Sequence, residues 1–151
     1  MRRPIFAEGS MSAHHRLLER IYAAAPVNGF IHPTMRVDEA AAVISAPVRP
    51  EWFHTGGAVH GAIYFKLLDD ACFFAANSLV EGVFVLTADF HIRMLRPVSS
   101  GVLTATGRVV NRGRRVLVAD GELRDDRGRL VATGSGSFML SEIELEGLPG
   151  S

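Results

Sequence analysis

The stretch HTGGAVHGAIYFKLLDDACFFAANS, His54 to Ser78, decides the reading of this chain. It opens on two histidines among glycines and turns almost wholly apolar. Inside the apolar run it sets Asp69 and Asp70 side by side. From about Val59 to Leu79, Ile63, Phe65, Leu67, Leu68, Ala71, Phe73, Phe74, Ala75 and Ala76 cover every face of a helix, so the spacing predicts a helix buried on all sides. An ionised, unpaired carboxylate there would cost several kcal/mol. Asp69 therefore needs a partner, a watered cavity or a raised pKa, and each of these makes it a general-base candidate.

Outward from that helix the patterns change. Before it, Ser12 caps a first helix in which Leu17, Leu18, Ile21 and Tyr22 recur at helical spacing until Pro26. His14 and His15 read as surface residues of that helix. Two short alternations, Phe30 to Val37 and Ala40 to Val48, read as strands. After the helix, VFVLTADFHIRML puts Leu86, Ala88, Phe90, Ile92 and Met94 on one face of a strand and Thr87, Asp89, His91 and Arg93 on the other. Three more strands form a meander, with Gly113 and Gly128 expected at φ > 0 in its turns. Strands that follow one another without helices between them exclude a doubly wound sheet. The expected class is α+β: an antiparallel sheet wrapped around one long central helix, the hot-dog pattern, with an extra N-terminal helix.

The chain has 151 residues, 48% of them hydrophobic, enough for one domain with a real core. Residues 1–11 read as a flexible tail, 12–141 as the domain and 142–151 as a second flexible tail. The 16 basic and 16 acidic residues cancel, so bulk charge gives no reason to expect nucleic acid or an anionic membrane as partner. The lone Cys72, the lack of a long uncharged apolar run and the lack of a signal-peptide core suit a soluble, cytoplasmic protein.

Where the glycine-rich loop enters the helix, His60 and Gly61 sit at free backbone N–H groups and the positive end of the helix dipole, a place able to hold a developing oxyanion. A metal site from His54, His60, Asp69 and His91 matches no compact ligand spacing. Cys72 has no activating surroundings for a nucleophile. The run GSGSF lacks the spacing of a nucleophile elbow.

The run GGAVHGAIYFKLLDDACFFAANS resembles the signature of hot-dog thioesterases of the phenylacetate-pathway, PaaI-like type: Asn-x-x-Gly-x-x-His-Gly-Gly, six residues, an aspartate, then Ala-Asn-Ser. The likeness covers about residues 30–140. It implies an acyl-CoA thioesterase acting on acyl- or aryl-acyl-coenzyme A. His60 and Gly61 fall on the family's His-Gly, Asp69 on its catalytic carboxylate, and Thr87 on the Ser/Thr that helps hold carboxylate and water. His54 stands where the family usually has asparagine, and Ala62 replaces the second glycine beside the acyl group. Arg93, Arg96, Arg112, Arg114 and Arg115 form a candidate rim for the phosphates of coenzyme A. The resemblance implies a homodimer, often paired into a tetramer, with each site built between subunits. It implies no metal or redox cofactor, coenzyme A arriving only with the substrate. The rival reading is a non-catalytic acyl-CoA-binding sensor of the same fold, against which the intact Asp69 argues.

Overall fold

The computed structural model describes residues 12–151; the first expected tail, residues 1–11, lies outside them. Helices α1 (Ala13–Ala24) and α2 (Asn28–Ile31) lead into strands β1 (Thr34–Asp38) and β2 (Ala41–Pro47). The long helix α3 (Gly61–Asn77) follows, and then β3 (Val83–Met94), β4 (Val102–Arg112), β5 (Val116–Arg124) and β6 (Leu130–Glu144). The six strands make one antiparallel sheet in the order β1-β2-β4-β5-β6-β3, with α3 packed across its inner face. No helix of the described residues is long and apolar enough to cross a membrane.

Glycines let α3 lie so close to the sheet. Gly107, Gly121 and Gly134 are direct cross-strand partners on β4, β5 and β6. A Cβ on Gly107 would strike the backbone of Ala71, and one on Gly121 would come within 2.9 Å of Cys72 Sγ. On Gly134 it would meet the Phe90 ring at 2.5 Å. Any side chain here would push the helix or Phe90 outward, a form of overpacking that typically costs about 1–3 kcal/mol. Leu67, Leu68 and Ala71 are fully buried against this floor.

The far end of α3 is fastened by side chains. Asn77 is fully buried. Its amide nitrogen donates to the carbonyls of Val80 and Val83, and its Oδ1 accepts from the Val85 amide at 2.9 Å. His14 and His15 are not surface residues, as expected, but are 9% and 6% exposed. Their Nε2 atoms lie 2.8 and 3.3 Å from the Asn77 and Ser78 carbonyls. Those carbonyls have no partner within the helix, and the imidazoles of α1 cap them.

Further expectations need correction. The residues around Phe30 form α2 rather than the start of a strand, with Asn28 Nδ2 donating to the Tyr22 carbonyl. Helix α3 is not covered on every side: Ala62 is exposed, and Phe65 is 38% exposed. In β3 a register shift between Thr87 and Asp89 inverts the alternation, as a bulge does. Leu86 is thus 47% exposed, while Thr87 and, beyond the bulge, Phe90 both face the helix. Finally, Gly128 has the expected positive φ of 76°, but Gly113 does not. At the other terminus, β6 runs on past residue 141 to Glu144, and Leu145 is buried.

Candidate active site

Helix α3 carries candidate groups at its start and in its middle. At the start, His60 is the N-cap, its backbone extended and its Nδ1 accepting the Ala62 amide at 2.9 Å. That leaves the Gly61 amide, the first of the helix, without an intrahelical acceptor. His54 organises the preceding loop in the same manner: Nδ1 accepts from the Gly56 amide at 2.9 Å, and the Gly57 amide donates to its carbonyl. A ring that accepts at Nδ1 carries its proton on Nε2, so both histidines present an Nε2–H donor.

Around Gly61 a recess is lined by His54, Tyr64, Met94, Leu95 and Arg96. Tyr64 Oη donates to the Arg96 carbonyl at 2.9 Å, fixing the segment after β3 against the helix start. The thioether of Met94 fills the space a side chain at position 61 would need, 2.6 Å from where its Cβ would lie. Sequence reasoning missed Met94 and Tyr64, because both read as ordinary apolar positions.

In the middle of the helix, Thr87 Oγ1 donates to Asp69 Oδ1 at 2.8 Å. The β3 bulge is what delivers this hydroxyl. Burial raises the Asp69 pKa from 3.8 to about 6; the Thr87 bond opposes that rise, the Asp70 charge adds to it and Lys66 opposes it. Asp70 turns toward α1, where it accepts from Tyr22 Oη at 2.7 Å and pairs with Lys66. Tyr22 and Lys66 carried no sequence signal beyond helical spacing. Burial pushes the Cys72 thiol well above its ordinary value, so it is a packed thiol under Gly121 rather than a nucleophile.

Other candidates lie elsewhere. Residues flanking the glycine row point away from α3, and there His91 and Arg93 share the outer face with Arg108, Asp120 and Glu122. Arg96 lies beside Gly61. Arg112, Arg114 and Arg115 sit at the β4–β5 hairpin, where Arg112 donates to the Leu79 carbonyl. Arg93 and Arg112 are level with residues 122 and 117 of β5, about 17 Å apart along the strand direction. The five arginines expected as one rim are therefore at two ends of the sheet within a single chain. Gly61 and Asp69 are separated as well, by about 12 Å of helix at 1.5 Å per residue.

The thioesterase superfamily profile matches residues 56–132, which hold both the loop and the Asp69–Thr87 pair. A Saccharolobus solfataricus protein bearing a provisional esterase name is 27% identical over 112 residues, 74% of this chain and 80% of the relative. Among solved structures, the Escherichia coli PaaI protein from the phenylacetic acid degradation operon is 25% identical and superposes with a TM-score of 0.78, covering 88% of this chain and 99% of that one. A thioesterase family protein from Silicibacter pomeroyi is 26% identical with a TM-score of 0.75, covering 82% and 97% of the two chains.

Proposed function

The chain belongs to the thioesterase superfamily, and from that premise we propose that it hydrolyses the thioester of acyl- or aryl-acyl-coenzyme A, with Asp69 as general base or nucleophile and the Gly61 amide as oxyanion donor. The observation that carries this reading is Asp69 itself: a carboxylate in an apolar helix, held by one hydroxyl, with a pKa lifted to about 6. A base of that strength is ionised at neutral pH yet able to take a proton from water.

In the proposed reaction an oxygen nucleophile, water or the carboxylate, adds to the thioester carbonyl. The oxyanion that forms is met by the Gly61 amide and the helix dipole. Collapse breaks the C–S bond: where water attacks, Asp69 takes its proton and passes it to the departing coenzyme A thiolate; where Asp69 attacks, one water then hydrolyses the acyl-aspartate and supplies the thiol's proton. His60 and His54 would orient the carbonyl through Nε2–H, and Ala62 would border the acyl group.

Because Gly61 and Asp69 are about 12 Å apart in one chain, both reach one carbonyl only if two chains contribute. The edge position of β3 supports a homodimer, since its outer side has no strand partner among the described residues, and Phe65, 38% exposed, lies beside it. The reading extends to a dimer of dimers. In that assembly Arg96 of one chain and the hairpin arginines Arg112, Arg114 and Arg115 of another would meet the coenzyme A phosphates, Arg93 standing farther out. It also carries a cytoplasmic location, which the unpaired Cys72 supports. No metal or redox cofactor takes part. A panel of acyl-coenzyme A substrates followed by free-thiol release tests the proposal: turnover of at least one acyl class is expected, and binding without thiol release for all of them would overturn it in favour of a sensor.

A further inference from the structure

Lys66 precedes Asp69 by three residues and Asp70 by four, so on a helix it can reach either carboxylate. It pairs with Asp70. The residue that draws it there comes from another element: Tyr22 of α1 places its hydroxyl 3.5 Å from Lys66 Nζ and its ring centroid 5.0 Å away, while donating to Asp70 Oδ2. Ring and hydroxyl both favour the ammonium on the Asp70 side. The Tyr22 ring is itself set by an edge-on contact with Phe74, 5.1 Å between centroids.

We propose that Tyr22, Lys66 and Asp70 are positioning residues for the reaction, holding the lysine charge on the α1 side of the helix so that Asp69 keeps no ion-pair partner. The inference rests on Asp69 being the reacting carboxylate. A lysine drawn toward Asp69 would lower its proton affinity and so weaken it as a base. The groups that face Asp69 are Thr87 from β3 and, on α3, Lys66, Asp70 and Cys72. Tyr22 acts from α1 through Asp70, and Asp120 of β5 reaches only as far as Cys72.

The proposal predicts shifts of opposite sign. Lys66→Met removes the cation and leaves Asp70 charged, so the acid limb of kcat/KM and the Asp69 carboxyl titration followed by carbon NMR both move to higher pH. Asp70→Asn removes the neighbouring anion and frees Lys66 to fold onto Asp69, so both move to lower pH. Each shift should be about half a pH unit or more for charges this close and partly buried. Tyr22→Phe, which keeps the ring, should give a smaller shift in the Asp70→Asn direction, and Lys66→Arg should restore the wild-type midpoint. If the NMR midpoints of folded variants do not move, or move the same way, the three residues only tie α1 to α3 and the proposal is overturned. Should the NMR midpoints move in opposite directions while the kinetic limbs stand still, Asp69 is not the group titrating in turnover, and the reading beneath the proposal fails with it.

Discussion

On the flank of α3 that faces α1, Asp70 accepts from a tyrosine and pairs with a lysine. One residue earlier, on the flank that carries the exposed Ala62 and Phe65, Asp69 is held by the Thr87 hydroxyl and its pKa is raised by burial. The two carboxylates share a helix, a sequence neighbourhood and a chemistry, and differ in what the tertiary fold sets against them. A compensated carboxylate holds two helices together. An undercompensated one keeps a proton affinity useful near neutrality, and the flank it occupies is the one left open among the described residues.

Covering that open flank is the first way to break the comparison. Phe65→Asp should turn the proposed dimer into monomers in sedimentation velocity and lower kcat/KM by about a hundredfold or more, because the proposed convergence of the Gly61 amide and Asp69 on one carbonyl would be lost. A fully active monomer at low micromolar concentration would separate the site from the interface.

His54 sharpens the other half of the site. Its Nδ1 closes the loop onto Gly56, and an asparagine Oδ1 can make the same turn. His54→Asn should therefore keep substantial activity, whereas His54→Ala should lose about ten- to a hundredfold through a loosened loop and a missing donor. Equal activity of wild type and His54→Ala at every pH would leave the carbonyl to His60 and Gly61 alone.

The smallest effect is on stability. The Asp69 pKa is raised from 3.8 to about 6, so its ionised form is disfavoured by folding. Relative to an uncharged residue, stability is kept below the unfolded value and lost as pH rises through the folded one. Asp69→Asn should thus be more stable than wild type above pH 6 by about 1–2 kcal/mol, discounted for partial exposure, and no more stable below about pH 4. Thermal melts at the two ends of that range check the sign; a constant difference would contradict the burial cause.

Much of this was legible in the sequence, for identifiable reasons. Helix α3 is long and apolar, and the meander alternates cleanly, so local periodicity and tertiary role coincide. The spacing from His60 to Asp69 and on to Ala-Asn-Ser pointed to the candidate site. What escaped was set by contacts distant in sequence. A bulge in β3, invisible to strict alternation, turns Thr87 inward. The two histidines of α1 are buried because helix carbonyls from residues 77 and 78 need donors. The arginines were grouped by residue type, and the antiparallel register places them at two ends of the sheet.

The contrast between the two aspartates is tested most directly by measuring thiol release from the best acyl-coenzyme A substrate with Asp69→Asn and Asp70→Asn side by side, each checked for fold by circular dichroism. An amide at 69 preserves shape and can still accept from Thr87, but it cannot take a proton or attack. Asp69→Asn should therefore lose on the order of a thousandfold or more in kcat while still binding substrate, and Asp70→Asn should stay within about tenfold of wild type. Equal losses, or a greater loss at Asp70, would contradict the assignment of the reacting carboxylate.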